Sequence, residues 1–186
     1  MDFMEEYTIP KKICDDFINY HKKNIEYKRS GSFLGVKNSD DHKKSTDVYF
    51  YNHSNSSFIK KFFEYLSKSV QTYCNKYNIG FPIQTYICNH IQYYKPNEGV
   101  PALHYEKNNG SSMRRELVYM LYCNDVKNGG TNFPFQNIKT ECKKGSLIIW
   151  PAFFTHPHQG VISSIEEKYI VTGWFEVVEQ WWMKKI

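Results

Sequence analysis

What the chain lacks narrows it first. No stretch of its 186 residues approaches the roughly 20 consecutive apolar residues that a membrane-spanning helix needs, so neither a transmembrane helix nor a membrane partner is expected. The N-terminal MDFMEEYTIPKK opens with acidic residues and has no apolar run of the kind a secretory leader carries, which predicts a cytoplasmic protein. None of the five cysteines (Cys14, Cys74, Cys88, Cys123 and Cys142) forms a C-x-x-C pair, and their number is odd. That pattern argues against a closed thiolate zinc site and against a disulfide framework, and points to reduced thiols. The formal net charge is +5, yet the lysines come as isolated pairs such as Lys11-Lys12, Lys60-Lys61 and Lys184-Lys185, spread over the whole chain. A basic patch for nucleic acid is therefore not expected. Absent too are an internal repeat, a low-complexity segment and the βαβ alternation of a parallel sheet.

What is present suits one folded domain over residues 1–186. Hydrophobic residues make up 41% of the chain, with 15 Tyr, 13 Phe and 4 Trp, so an aromatic-rich core is expected and disorder is excluded. Residues 1–80 read as helical support and a loop. A first helix is predicted from Ile9, with apolar residues at Ile13, Cys14, Phe17 and Ile18, Thr8 as N-cap and Pro10 in the first turn. A long loop over 28–47 follows, in which His42, like His53 beyond it, reads as a surface histidine. Ser57 caps a clearer helix, whose wide stripe includes Ile59, Phe62, Leu66, Val70 and Tyr73 and which Gly80 and Pro82 stop. From residue 81 to 178 the pattern turns to short β-like runs (QTYICNHIQYY, ELVYMLYCND, GSLIIWP, KYIVTGWFEVV) set apart by Gly, Pro and Asn. The fold class expected is α+β, mainly β: a jelly-roll or double-stranded β-helix core buttressed by N-terminal helices. His90, inside one run, reads as a structural sheet residue. The tail with Trp181 and Trp182 reads as packing back on the domain.

The chemistry concentrates in two places. In WPAFFTHPHQG, His156 and His158 stand two apart, so on an extended strand both rings would leave one face. Lys168 follows on a strand-like run and offers a cation. Upstream, His104 and Glu106 alternate in the same way. Two histidines and a carboxylate, arriving as a close pair plus one distant residue, fit the facial triad of non-haem iron(II) oxygenases, which leaves three coordination positions open. On the residues alone, either His156 or His158 completes that set, since neutral imidazole is a good ligand in both places.

The order of parts over 84–175 resembles the iron(II)/2-oxoglutarate-dependent dioxygenases, and within them the prolyl 4-hydroxylase-like branch. The resemblance rests on Y-x-P-x-x-G at 94–99, H-x-E at 104–106, Y-x-N-D at 122–125, G-G-T-x-F-P at 129–134, K-K-G-x-L-I-I-W-P at 143–151, H-x-G at 158–160, and K-Y-x-x-T-x-W at 168–174. It implies a double-stranded β-helix in which His104, Glu106 and His158 hold Fe(II), with 2-oxoglutarate and O2 as cosubstrates and ascorbate as an accessory reductant. The interval to Lys168 and the H-x-G select His158 and leave His156 behind the ligands or facing substrate. By the same resemblance Lys168 meets the far carboxylate of 2-oxoglutarate, Tyr122 hydrogen-bonds it, Tyr94 lies near the metal end, and Thr172 shares the strand face of Lys168. Physics agrees for the lysine, because a dicarboxylate in a partly dry pocket needs a cation at its buried end.

The implied activity is hydroxylation of an unactivated C–H bond, by resemblance that of a prolyl residue in a peptide or protein, with release of succinate and CO2. Segments 28–47 and 107–115 are candidates to grip the substrate, while Arg114 and Arg115, before a strand at the edge of the proposed site, read as surface charge, with binding of an acidic group as the alternative. An oxygenase of a free amino acid, small molecule or nucleic acid is the alternative, and a catalytically silent jelly-roll module is the alternative of another class. Three departures from the pattern stand out: Glu106 where aspartate is commoner, no acidic residue before Thr131, and Glu166 where glycine is usual. A halogenase is disfavoured, since that chemistry replaces the carboxylate by a small residue.

Overall fold

The computed structural model describes residues 2–30 and 43–178. His42, Trp181, Trp182, Lys184, Lys185 and most of the 28–47 loop lie outside them. The helices are α1 (Lys11–Lys23) and α2 (Ser57–Lys76). The strands are β1 (Glu5–Thr8), β2 (Arg29–Ser30), β3 (Thr46–Tyr51), β4 (Ile83–Thr85), β5 (Cys88–Tyr94), β6 (Arg115–Tyr122), β7 (Thr131–Phe133), β8 (Ile138–Lys139), β9 (Ser146–Pro151), β10 (Gln159–Gly160) and β11 (Lys168–Val177). They form a large antiparallel sheet in the order β1-β9-β6-β11-β5-β3-β2, with β4 also on β11, and a small sheet in the order β10-β7-β8. The two sheets make the double-stranded β-helix core, and the helices buttress the large one.

Strand periodicity divides the large sheet into two faces. Leu117, Tyr119 and Leu121 of β6 and Tyr169, Val171 and Phe175 of β11 turn to the helices. There they meet Ile13, Cys14 and Phe17 of α1 and Ile59, Phe62, Leu66 and Tyr73 of α2. These helical residues recur every three or four positions, which is why each helix buries one stripe. Phe17 packs edge-on against Phe62 at 5.0 Å and tilted against Phe50 at 5.2 Å. Each such fully buried side chain contributes about 1.5–3 kcal/mol. The alternate residues, Met120 and Tyr122 of β6 and Lys168, Ile170, Thr172 and Trp174 of β11, turn to the other face and line a cavity beneath the small sheet. Both faces of β6 and β11 are thus covered, which explains their nearly continuous apolar runs. Gly173 sits where a Cβ would stand 2.2 Å from Asn89 Oδ1 and 2.5 Å from the Tyr119 hydroxyl. Those two atoms hydrogen-bond to each other at 2.6 Å, so only glycine fits between them.

Several boundaries differ from the sequence reading. Thr8 does not cap a helix: it pairs with Ser146 at the end of β1, Pro10 occupies the N-cap, and α1 begins at Lys11. The N-cap of α2 is Ser56, one residue before the expected Ser57, and neither helix has a side-chain cap hydrogen bond. Helix α2 stops before Gly80, because Asn78 takes the left-handed conformation (φ 53°) and the Ile79 amide returns to the Cys74 carbonyl at 2.9 Å.

Candidate functional site

One backbone contact builds the site. His104 and His158 form an isolated antiparallel bridge, with His104 N–H donating to the His158 carbonyl at 3.0 Å and His158 N–H donating back at 2.8 Å. Residues 54 positions apart in sequence therefore stand directly opposite. Their rings lie 4.5 Å apart. Each ring is turned by a carbonyl behind it: His104 Nδ1 faces Ala102 O at 2.9 Å, and His158 Nδ1 faces His156 O at 3.0 Å. With the proton on Nδ1, both rings present the Nε2 lone pair forward. Glu106 Oε1 lies 3.6 Å from His104 Nε2 and 3.7 Å from His158 Nε2. A single cation at about 2.1 Å from each donor spans those separations. Among the described residues this is the one His/Cys/Asp/Glu cluster with metal-ligand spacing.

Electrostatics suit the same use. Burial alone would raise the Glu106 carboxyl, but the two imidazoles facing it outweigh burial and hold it well below the carboxylate range. His104 shifts upward: burial opposes its charge, and Glu106 overrides burial. The carboxylate thus draws positive charge to the very point where the three donors converge. Two nitrogens and one oxygen without a thiolate suit iron, with positions left for other ligands.

His156 does not join this cluster. A turn at 153–156, closed by His156 N–H to Phe153 O at 3.0 Å, replaces the extended strand that would have put both rings on one face. The buried His156 ring instead contacts the Asp2 carbonyl at 2.7 Å and the Thr155 hydroxyl at 2.9 Å, so it faces the N-terminal segment and not a substrate. Its backbone carbonyl alone reaches His158.

A cavity of about 630 Å³ runs from the triad to Lys168. Lys168 is 5% exposed, and its Nζ donates to Gly129 O and Val161 O, both at 2.9 Å. Among the described residues no carboxylate pairs with it. A lysine ammonium has three donors, so one remains for a ligand, and burial lowers its pKa in the absence of an anion. The Tyr122 hydroxyl lies beside it between Thr131 Oγ1 and Thr140 Oγ1, each at 2.8 Å. Gly130 lets this wall close, since a Cβ there would stand 1.9 Å from Thr140 O. Thr172 Oγ1 and Trp150 Nε1 line the same cavity, buried and without hydrogen-bond partners among the described residues. Such orphans each cost about 1–3 kcal/mol unless a ligand or water meets them. Tyr94 is also in the wall, its hydroxyl donating to Gln92 Oε1, and its ring lies 5.3 Å from Lys168 Nζ. A buried cation, unmet polar groups and three metal donors within one cavity fit a dicarboxylate that also chelates a metal.

Three cavity residues escaped the sequence reading. Thr131 was quoted only as part of G-G-T, and its strand pairing is what brings it to Tyr122. His90 is not merely a sheet residue: it lines the cavity between Tyr49 and Trp174, at ring distances of 5.0 and 5.1 Å, and its Nδ1 lies 3.9 Å from Asp47 Oδ2. Arg115, read as surface charge, stacks on Trp174 at 3.6 Å and reaches Glu106. A charged residue at a strand start carries no local signal for such a contact.

Comparison with known proteins agrees. A model of the 2OG-Fe(II) oxygenase superfamily matches residues 89–176, and no curated protein matches the chain. Residues 89–176 thus match the 2OG-Fe(II) oxygenase superfamily, and the solved structures that follow share the fold of the chain. Among solved structures it is similar to the viral collagen prolyl hydroxylase of Paramecium bursaria chlorella virus-1 in complex with 2-oxoglutarate, at 18% identity and TM-score 0.71 over 95% of this chain and 97% of that one. A Pseudomonas putida prolyl-4-hydroxylase gives 13% and 0.73 over 96% and 95%. The Trichoplax adhaerens prolyl hydroxylase, in complex with a hypoxia inducible factor oxygen degradation domain peptide fragment, gives 13% and 0.77 over 95% and 84%.

Proposed function

We propose that the chain, acting as one domain over residues 1–186, hydroxylates a prolyl residue in a peptide or protein and converts 2-oxoglutarate to succinate and CO2. The observation that carries the reading is the pairing, within one cavity, of the His104, Glu106 and His158 donors with a buried Lys168 that has no carboxylate partner among the described residues. In this reading His104, Glu106 and His158 hold Fe(II) from one side. Lys168 receives the far carboxylate of 2-oxoglutarate, Tyr122 and Thr172 hydrogen-bond along the same wall, and Tyr94 shapes the metal end. Iron(II), when bound, supplies the binding and reduction of O2, with ascorbate as an accessory reductant. The protein orients the cosubstrate, keeps water from its buried end and presents the substrate.

The other side of the cavity suits a peptide. Asn108, Asn109 and Ser111 of the 107–115 segment bring polar groups to the cavity wall, which the aromatic Tyr49, Tyr86 and Trp174 also line. The solved relative in complex with a peptide supports this class of substrate. The five free cysteines accord with a cytoplasmic, reducing location. The test is anaerobic titration of the purified protein with iron(II) and 2-oxoglutarate, followed by oxygen and a proline-rich peptide. A weak visible charge-transfer absorption, succinate, and a peptide that gains one oxygen atom on proline are expected. Succinate without peptide oxidation would move the substrate to another class. Neither absorption nor succinate, with iron shown to be bound, would reduce the chain to a binding module.

A further inference from the structure

Glu106 is one methylene longer than the aspartate commoner at this position, and that length carries a hazard. A carboxylate on a longer, freer arm can chelate a cation through both oxygens. A facial triad needs three open positions, and a second carboxylate oxygen would cover one of them.

The structure holds the second oxygen elsewhere. While Oε1 faces His104 and His158, Oε2 accepts the Trp174 Nε1–H at 3.0 Å and faces Arg115 Nη1 at 3.4 Å. The same Nη1 lies 3.3 Å from the Glu106 backbone carbonyl, and the guanidinium carbon lies over the Trp174 ring, 3.6 Å from its centre. The backbone makes this possible. Leu117 pairs with Phe175 and faces the helices, so Arg115, two residues earlier on a regular strand, would face them as well. The register shifts at this point, with Glu176 opposite Arg115, so that Glu116 is an extra residue and Arg115 turns to the cavity. Bulges re-aim side chains in this way beside active sites.

We infer that Arg115 and Trp174 are positioning residues that restrict Glu106 to one-oxygen ligation, with the bulge at Glu116 aiming Arg115. This rests on the reading of His104, Glu106 and His158 as metal ligands. With Oε2 occupied by two donors, the glutamate serves as an aspartate would and the cosubstrate keeps its coordination positions.

The experiment uses Mn(II) as probe in the full chain, comparing wild type with Trp174→Phe and with Arg115→Met. Trp174→Phe keeps the ring on which Arg115 stacks, and Arg115→Met keeps the indole, so failure of one to fold leaves the other. Mn(II) affinity is read by electron paramagnetic resonance, and solvent on the bound ion by water-proton relaxation. The expected result is retained Mn(II) binding with relaxivity per bound ion lowered by about a third, one of three open positions being covered. The 2-oxoglutarate needed to displace the remaining water should rise by about tenfold, as for other disturbed outer-shell partners. Unchanged relaxivity in the folded variants would overturn the inference. So would loss of Mn(II) binding at unchanged melting temperature, which would make the pair a source of affinity and not of denticity. Wild-type protein that binds no Mn(II) would instead remove the ligand reading beneath it.

Discussion

The two faces of the large sheet are made by the same strands and obey different rules. Toward the helices, β6 and β11 present Leu117, Tyr119, Leu121, Tyr169, Val171 and Phe175, all packed against apolar partners. Toward the cavity they present Tyr122, Lys168, Thr172 and Trp174, and nearby buried polar atoms go without partners. One face supplies stability, and the other gives some of it up to keep donors ready for a ligand. Functional sites are where local rules of burial are expected to fail.

Breaking the helix-facing side should cost most. Phe62→Ala is expected to lower the unfolding free energy by about 3–5 kcal/mol, read by urea denaturation, because Phe62 is fully buried among Phe17, Phe50 and Tyr119. On the cavity side the loss should move from stability to turnover. His158→Ala should abolish succinate formation with little change in melting temperature. His156→Ala should keep turnover and cost about 1 kcal/mol of stability, the worth of its tie to the Asp2 carbonyl. Equal loss of turnover from both would contradict the geometry described above.

Lys168 sharpens the contrast through its sign. Lys168→Met should raise the 2-oxoglutarate requirement by about 30-fold or more, since truncating a buried charge partner costs about 2–5 kcal/mol. The same change should stabilise the ligand-free protein by about 1 kcal/mol, because an unpaired buried charge is removed. A loss of stability would mean that the two carbonyls at 2.9 Å already satisfy the ammonium. Because burial lowers the Lys168 pKa, 2-oxoglutarate binding to the wild type should also weaken on raising the pH before the ordinary lysine range is reached.

The last effect is confined to acid. Asp47 is fully buried with Lys43 Nζ at 3.0 Å and Ser45 Oγ at 2.7 Å. Burial alone would raise its carboxyl, and the attraction of Lys43, followed by His90 and Ser45, holds it instead at about 2 against an ordinary 3.8. Its folded pKa is depressed, so its contribution, on the order of 2 kcal/mol, is present above the unfolded value and lost as pH falls from about 4 toward 2. Asp47→Asn should flatten the stability profile in that window and leave it unchanged near neutrality apart from a constant offset.

Much of the architecture was legible because covalent spacing alone expresses it. The stripe Ile59, Phe62, Leu66, Tyr73 has helical period, and the runs that became β5, β6, β9 and β11 have the β-branched and aromatic content of covered strands. Strand β1 was not legible, since its four residues owe their conformation to β9, about 140 positions away. The start of α1 was misplaced for the same reason: Thr8 pairs with β9 where a local reading assigns it to a cap.

At the site, the sequence by itself determined the donor types, their order along the chain and a spacing that lets His104 and Glu106 face one way. Taken without the family resemblance, which selected His158, the residues left two histidines as equals. The tertiary structure gives the physical reason for the difference, because the turn at 153–156 rotates His156 toward Asp2 while the bridge to His104 fixes His158. Only the tertiary structure set the two oxygens of Glu106 to different partners, through a bulge that turns Arg115 and a strand that carries Trp174. Periodicity is a property of neighbouring residues and travels with the chain. The meeting of residues tens of positions apart depends on strand register, which is settled when whole faces are buried together.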